Sequence, residues 1–342
     1  MVTTEMRDKA EVGIIFERIN STGTKLSTLD LMIAWTWDET FHLKEAIDEH
    51  VEDLNEKGFG DLPDKIILQC LSGIISKKTS TRAILKLPSA SVKGSFKKLK
   101  ESMRRAVDFL STEFNMQSQD FLPHAQQIVP LTYFFSKATT PSQGQTRAIK
   151  QWFWKTSFSR RYSGQTDDKM DGDIQFMDEV VANKSKSADS YSYSVNDLEL
   201  IDLKFSKSNP ITRALLLLMA QKPPLNLTNG NKIDLGKALS NYNLKEYHHI
   251  FPRAFLKTRG LAAEKINSIC NFCFLPADSN KKISKKEPAD YIFKIVPSTS
   301  YQKILESNIM PLKKDIYKEN DYDAFLKERA GLVLAFLDSL TV

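Results

Sequence analysis

Two adjacent histidines are the residues of this 342-residue chain whose types and spacing best suit catalysis. His248 and His249 lie in the segment 246–252, which reads Glu-Tyr-His-His-Ile-Phe-Pro. In such a pair one imidazole can bind a metal ion while the other removes a proton from water, because histidine titrates near neutral pH. Adjacent residues of a strand point to opposite faces, so the two side chains share a target only at a strand end or a turn.

Two asparagines follow the histidine pair at defined spacings. Asn271 lies 22 residues after His249, within the short apolar segment 267–276 that is predicted to form a strand. Asn280 lies nine residues further on, where Asp-Ser-Asn is expected to cap a helix that begins at Lys281. The sequence therefore predicts a strand with the histidines, a loop, a second strand with Asn271, and a helix opened by Asn280.

This order of residues resembles the ββα-metal fold of HNH endonucleases. Four segments are more narrowly similar to the DUF1524 domain, the HNH nuclease domain at the C-terminus of GmrSD-type restriction proteins: 248–252 (His-His-Ile-Phe-Pro), 271–275 (Asn-Phe-Cys-Phe-Leu), 280–284 (Asn-Lys-Lys-Ile-Ser) and 286–291 (Lys-Glu-Pro-Ala-Asp-Tyr). Near the N-terminus, 15–27 is similar to the Phe-x-x-Ile-Asn-x-x-Gly-x-x-Leu-Ser motif of DUF262, the domain that precedes DUF1524 in that family. The resemblance covers nearly the whole chain.

The resemblance implies a role for each of these residues. His248 and Asn280 are expected to bind a divalent cation, Mg²⁺ or alternatively Mn²⁺. His249 is expected to be the general base, and Asn271 to orient this base and hold its loop. The lysines around the predicted metal-binding helix are expected to contact DNA phosphates: Lys281, Lys282, Lys285 and Lys286.

The activity implied by the resemblance is hydrolysis of DNA phosphodiester bonds, in restriction of modified foreign (phage) DNA in a prokaryotic cytoplasm. The Asp-Gly-Gln-Gln-Arg signature of the DUF262 nucleotide site is not found in the fifteen residues before Phe16, so the chain resembles the C-terminal part of a longer protein or a split gene product. Nucleotide hydrolysis by this chain alone is therefore not expected, although Asn20 and Gly23 would complete a nucleotide site with a missing segment. The expected partners besides DNA are a separate DUF262-type chain or a second copy. The alternative function is a DNA-binding or nucleotide-responsive regulatory fragment without nuclease activity of its own.

Helical patterns dominate the rest of the chain, so the expected fold is mainly α with a small α+β module. Three regions are predicted: a remnant of a DUF262-like (ParB-like) domain over 1–60, a helical region over 61–235, and a DUF1524-like HNH domain over 236–342. Residues 163–200 lack a sustained period and are rich in Ser, Asp, Gly and Tyr, so they are predicted to form a long loop. Ser27 is predicted to cap a helix, with Asp30 three residues on in a capping box.

The net charge of +6 is unevenly distributed along the chain. Residues 1–64 carry a charge of −9, residues 65–105 of +10 and residues 244–300 of +5. Each basic segment is either a solvated helix face or a phosphate-binding surface, because lysine and arginine release counterions when they neutralise DNA. The excess in 65–105 has a further alternative, which is neutralisation by the acidic segment 1–64.

The composition does not fit an integral membrane protein or a small protein held together by disulfides. No apolar run approaches the roughly 18–20 residues that a membrane span requires, so no membrane partner is expected. Three cysteines, at positions 70, 270 and 273, provide no disulfide framework and favour a reducing cytosol. Cys270 and Cys273 form a Cys-x-x-Cys pair, for which small core residues are the favoured interpretation and a zinc site the alternative.

Overall fold

The computed structural model describes residues 26–37, 39–164, 166–185, 187–238 and 247–342. These residues are mostly helical and include one two-stranded antiparallel sheet, as expected of a mainly α chain with a small α+β part. Asn20 and Gly23, the candidate partial nucleotide site, lie outside the described residues. None of the helices in the described ranges is long and apolar enough to cross a membrane.

The chain divides into two compact units. The first unit contains the described residues up to Phe109, together with 124–149 and 161–187. Residues 61–235, which the sequence assigns to a single helical region, contribute to both units. The helices from the N-terminus to the end of the first unit are α1 (Thr28–Thr36), α2 (Leu43–Asn55), α3 (Asp64–Ser76), α4 (Thr81–Leu85), α5 (Ser89–Phe114), α6 (Ile128–Lys137), α7 (Gln143–Ser157) and α8 (Asp167–Val181).

Helix α1 begins as its sequence predicts. The Asp30 N–H donates to the Ser27 hydroxyl at 3.1 Å, and the Ser27 N–H donates back to the Asp30 carboxylate at 2.8 Å. These two bonds satisfy backbone donors that have no partner inside the helix. The predicted capping box is therefore confirmed.

The core of the first unit forms where α3, α6 and α8 pack together. Helix α3 is buried along most of its length, from Ile66 to Ile74. It approaches α8 closely at Gly73, where an added Cβ would lie 3.0 Å from the Ile174 Cδ1 atom. A larger residue at position 73 would therefore require the Ile174 side chain to shift by a few tenths of an ångström.

The predicted loop over 163–200 is wrong for residues 167–181, which form α8, and for residues 197–200, which lie in the helix Asp197–Asp202. Met170, Ile174 and Met177 lie four and three residues apart and are buried, which gives the helix one apolar face. Buried Asp173 lies on the same helix and forms an ion pair with Arg161, with 2.7 Å between Oδ1 and Nη2. The apolar period is obscured in the sequence because acidic residues that serve tertiary contacts lie between its members.

The second unit contains residues 110–123, 150–160 and 188–342. The Phe272–Phe274 strand follows a 3₁₀ turn at Ile269–Asn271, and the long C-terminal helix packs against this turn. The further elements are α9 (Asp197–Asp202), α10 (Pro210–Gln221), α11 (Leu235–Ala238), β1 (Tyr247–His249), α12 (Arg253–Thr258), α13 (Ala263–Ile266), β2 (Phe272–Phe274), α14 (Ala277–Ile283), α15 (Pro288–Lys294), α16 (Tyr301–Ser307), α17 (Lys314–Lys318) and α18 (Tyr322–Thr341).

Candidate functional site

The candidate site is built on the two-stranded sheet and on the helix that follows it. Strands β1 and β2 are antiparallel, with His248 opposite Cys273 and His249 opposite Phe272. Residues directly opposite each other in an antiparallel pair lie on the same face, and adjacent residues lie on opposite faces. His249 accordingly stands beside the Phe272 ring, with 4.3 Å between ring centroids, and His248 points to the other face.

Asn267 fixes the orientation of the His249 ring. The His249 Nε2 atom lies 3.0 Å from the Asn267 Oδ1 atom, and Asn267 Nδ2 donates to the Ala263 carbonyl at 2.7 Å. Because the amide nitrogen already donates to the Ala263 carbonyl, Oδ1 is the atom that faces the imidazole. It accepts a hydrogen bond from the ring N–H. The neutral ring therefore carries its hydrogen on Nε2, and the lone pair on Nδ1 is the basic site.

The surroundings of His249 favour its neutral form. Burial lowers the pKa of His249 below its ordinary value, whereas the hydrogen bond that His249 donates to Asn267 raises it. The positive charges of Arg253 and His248 lower this pKa further. Since the net shift is downward from 6.5, the imidazole is neutral at pH 7 and able to accept a proton.

Asn271 holds the segment that follows the histidine pair. Its Oδ1 accepts from the Phe251 N–H at 2.8 Å, and its Nδ2 donates to the carbonyls of Phe251 at 3.1 Å and Ile266 at 3.0 Å. The Asn271 carbonyl also accepts from the Ile250 N–H at 2.7 Å. These four bonds place the loop, whereas the imidazole of His249 bonds to Asn267, a residue that the sequence did not single out.

Two residues from later helices hold the backbone around the site. Arg329 of α18 is fully buried and donates to the carbonyls of Cys270 at 2.7 Å, Ile309 at 3.1 Å and Asn308 at 3.2 Å. Tyr291 of α15 donates its hydroxyl to the Ile250 carbonyl at 2.7 Å. The turn before β2 and the residue after His249 are thus both tied to the C-terminal part of the chain.

Cys270 and Cys273 are buried thiols next to the site. Burial raises the pKa of Cys270 to about 11 and that of Cys273 to about 12, so both are protonated at neutral pH. Within the described ranges, no group of three or more His, Cys, Asp or Glu side chains is placed to hold a metal ion. Both thiols are almost fully buried, with 1% of each residue exposed.

Asn280 lies inside α14, whereas the sequence predicted that it would precede the start of a helix. The helix begins at Ala277, after Pro276, so that prediction is wrong by four residues. The preceding residue, Ser279, is buried, and its hydroxyl accepts from Asn226 Nδ2 and Thr228 Oγ1, each at 2.9 Å. Asn280 is half-buried, and its side-chain amide makes no hydrogen bond with any residue that the structure describes.

The four lysines predicted to contact DNA are exposed. Lys281 lies 3.9 Å from the Asp278 carboxylate, and Lys286 Nζ donates to the Lys282 carbonyl at 2.6 Å. Lys282 and Lys285 form no ion pair with the described residues. Arg253, at the start of α12, is a further exposed cation that acts electrostatically on His249.

Sequence reasoning missed Asn267, Arg253 and Arg329. Arg253 could have been recognised as a site residue from its position, because it directly follows the His-His-Ile-Phe-Pro segment. Arg329 interrupts the apolar face of α18, which is the usual sign of a charge with a buried role. Asn267 ends a four-residue helix and carried no comparable signal.

The chain is similar to the Uncharacterized protein MJ0686 of Methanocaldococcus jannaschii. The two are 28% identical over 338 residues, which cover 91% of this chain and 54% of the relative. The chain thus spans about half the length of the curated relative that it matches. No protein-family model matches the chain.

Proposed function

We propose that the second unit is a metal-dependent HNH-type DNA endonuclease centred on His249. The observation that carries the proposal is the bond between His249 Nε2 and Asn267 Oδ1 at 3.0 Å, which leaves Nδ1 as the basic atom of a neutral ring. The order of β1, β2 and α14, with His248 on the first strand and Asn280 on the helix, supports the ββα-metal interpretation.

In this proposal His249 Nδ1 takes a proton from the water that attacks the phosphodiester. Asn267 accepts the Nε2 hydrogen and stabilises the imidazolium that forms. Asn271 holds the loop so that the ring keeps its position beside Phe272. The burial that lowers the pKa of His249 keeps the base neutral at the pH of the cytoplasm.

His248 and Asn280 are the residues that would hold the divalent cation. An imidazole nitrogen combined with an amide oxygen is a donor set that suits Mn²⁺ or Mg²⁺, and the uncommitted Asn280 amide fits this role. When bound, such an ion supplies charge stabilisation at the phosphate and the leaving oxygen. The exposed lysines at 281, 282, 285 and 286 would hold the DNA backbone.

The biological role proposed from the family resemblance is restriction of modified foreign DNA in a prokaryotic cytoplasm. Supercoiled plasmid and DNA carrying modified bases are incubated with the protein in Mg²⁺, Mn²⁺ or EDTA. We expect cleavage with a divalent ion, no cleavage in EDTA, and a rate lower by about 10²–10⁴-fold for His249→Ala, because general base catalysis is worth this much.

His42→Ala is the matched control, because His42 is an exposed histidine of the first unit. Equal cleavage by the wild type and His249→Ala contradicts the proposal, as does absence of cleavage by the wild type with either metal. DNA binding without cleavage favours the alternative of a DNA-binding regulatory fragment.

A further inference from the structure

A surface cavity of about 720 Å³ in the second unit lies outside the candidate nuclease site. Its walls come from α15, α16 and the residues around the start of α17. The volume lies within the range of about 300–1,000 Å³ that is usual for small-ligand sites. Nothing in the proposed nuclease chemistry uses its lining residues.

Two nearly parallel aromatic rings form the apolar part of this cavity. Phe293 is 36% exposed, and its ring lies at 12° to the Tyr301 ring, with 6.3 Å between centroids. The Tyr301 hydroxyl is shielded from solvent and forms no hydrogen bond with a described residue. An exposed aromatic face is a surface on which a planar base can stack, whatever the identity of the base.

The polar part of the cavity is positively charged. Lys303 and Lys314 are exposed, and neither forms an ion pair with a carboxylate among the residues that the structure describes. Lys314 Nζ lies 5.6 Å from the Tyr301 ring centroid. Glu306, which also lines the cavity, accepts a hydrogen bond from Gln302 at 2.8 Å. Cations next to a stacking surface match the chemistry of a nucleotide, which has a planar base and an anionic phosphate.

Helix α15 links this cavity to the candidate nuclease site. Tyr291 on this helix bonds at 2.7 Å to the carbonyl of Ile250, the residue after His249. Phe293 is two residues further along the same helix, so its Cα lies within about 15 Å of that carbonyl, given the helix geometry and the length of a tyrosine side chain.

We infer that the cavity binds an unpaired base of single-stranded DNA. The base stacks on Phe293, and the flanking phosphates contact Lys303 and Lys314. The inference deepens the proposed nuclease function and rests on it for the choice of DNA as the ligand. It assigns to the protein a base-binding site in the same unit as the proposed site of cleavage.

The test measures DNA binding in EDTA, in the His249→Ala background, so that no cleavage interferes. A fluorescein-labelled twelve-nucleotide oligothymidine and an abasic strand of the same length are titrated by fluorescence anisotropy. We expect Phe293→Ala to raise the Kd for oligothymidine by about 5- to 100-fold, the value of one base–aromatic stack, and to leave the Kd for the abasic strand unchanged. Phe293→Trp is expected to bind as the parent does, which shows that the site is intact.

Leu198→Ala is the control for loss of an exposed apolar side chain, since Leu198 is 67% exposed and does not line the cavity. Replacing both Lys303 and Lys314 with alanine is expected to lower the salt dependence of binding by about 1.4 in log–log slope, as expected for two phosphate contacts to a single strand. Lys318→Ala removes an exposed lysine that is paired with Asp315 at 3.3 Å and should not have this effect.

Two results would overturn the inference: an unchanged Kd for Phe293→Ala, or equal affinity of the parent for oligothymidine and the abasic strand. Failure of the nuclease proposal is distinguishable from these results. If the wild type cleaves no DNA but Phe293→Ala still weakens base-dependent binding, the base site stands and the nuclease proposal fails. If His249→Ala abolishes cleavage while Phe293→Ala changes nothing, only the base site fails.

Discussion

Two lysine-rich regions of the chain have different surroundings. In the first unit, the cations Lys77, Lys78, Lys100 and Arg104 (the 77–104 cations) form ion pairs with acidic residues of α2 and α8. In the second unit, Lys281, Lys282, Lys285 and Lys286 (the 281–286 lysines) have no carboxylate partner among the described residues closer than the 3.9 Å between Lys281 and Asp278. A positive run in a sequence therefore leaves its charges unpaired only where the tertiary structure supplies no acids opposite it.

Helix α2 shows how the first region is neutralised. Asp53 lies 3.6 Å from Lys100 and 3.3 Å from Arg104, and Glu49 lies 3.8 Å from Lys100. The two acids are four positions apart in the sequence, and so are the two cations. Each pair therefore lies on one face of its helix. Of the alternatives open for residues 65–105, neutralisation by the acidic N-terminal segment thus accounts for Lys100 and Arg104.

The largest expected effect is on DNA affinity, when the cations of each region are replaced with alanine in two separate variants. Replacing all four 281–286 lysines with alanine should weaken binding of a short DNA duplex by up to about 1,000-fold at 0.1 M salt, and lower the salt slope by up to about 3.6. Replacing the 77–104 cations with alanine removes the same number of charges and should leave DNA affinity largely unchanged. Fluorescence anisotropy at several salt concentrations measures both. Equal losses in the two variants would abolish the distinction between the regions.

A smaller effect is expected on the pH dependence of stability, because charges of the first region act on the buried His50. His50 on α2 is fully buried, with its Nε2 atom 3.4 Å from the Met103 sulfur. Burial, and then the positive charge of Lys100, lowers the pKa of His50 to about 4, although Asp53 raises it. The unfolded chain takes up this proton near pH 6.5, so the free energy of unfolding falls as the pH decreases from about 6.5 to 4.

Between pH 7 and pH 4.5 the free energy of unfolding should decrease by about 2–3 kcal/mol less in His50→Leu than in the wild type. Chemical denaturation at the two pH values measures the difference. His42→Gln, which changes an exposed histidine next to the same helix, is the control for loss of an imidazole. Identical pH dependence in His50→Leu and wild type would show that His50 does not titrate as described.

The smallest of these effects concerns the positioning of the base in the second region. Asn267→Leu removes the acceptor of the Nε2 hydrogen and should lower kcat for DNA cleavage by about 10- to 100-fold, as is usual for a residue that orients a catalytic group. Because the Asn267 bond raises the pKa of His249, its loss should also move the acidic limb of the pH–rate profile to lower pH. Protonation of the base therefore cannot explain the slower rate.

Asn267→Asp is the conservative variant, because it keeps an acceptor and adds a negative charge beside the imidazole. It should retain more activity than Asn267→Leu and move the acidic limb to higher pH. Opposite shifts in the two variants would establish a positioning role. An unchanged rate and profile in both would remove Asn267 from the site.

Local sequence patterns predicted the parts of the structure that depend on short-range geometry. The capping box of Ser27 and Asp30 requires only three residues and is present. Both segments of the candidate site contain a strand, but only over Tyr247–His249 and Phe272–Phe274. The strand predicted for 267–276 is therefore wrong at Asn271, which ends a 3₁₀ turn. The start of α14 was misplaced because Pro276, rather than the Asp-Ser-Asn segment, precedes the first helical residue.

Contacts between distant parts of the chain could not be predicted in this way. The helix at 167–181 packs against α6 and approaches α3 at Gly73, and this packing compensates for its weak apolar period. Asn267 meets His249 because the turns between the strands return the chain to the sheet. Arg329 reaches the Cys270 carbonyl from 59 positions further along the sequence.

The sequence by itself determined which residue types are available for chemistry and their order along the chain: two histidines, then Asn271, Asn280 and the lysines. Only the tertiary structure decided which nitrogen of His249 is basic, which asparagine orients it, and which lysines lack acidic partners. The reason is physical: hydrogen bonds and ion pairs act over a few ångströms, and residues far apart in sequence reach that distance only when the chain has packed.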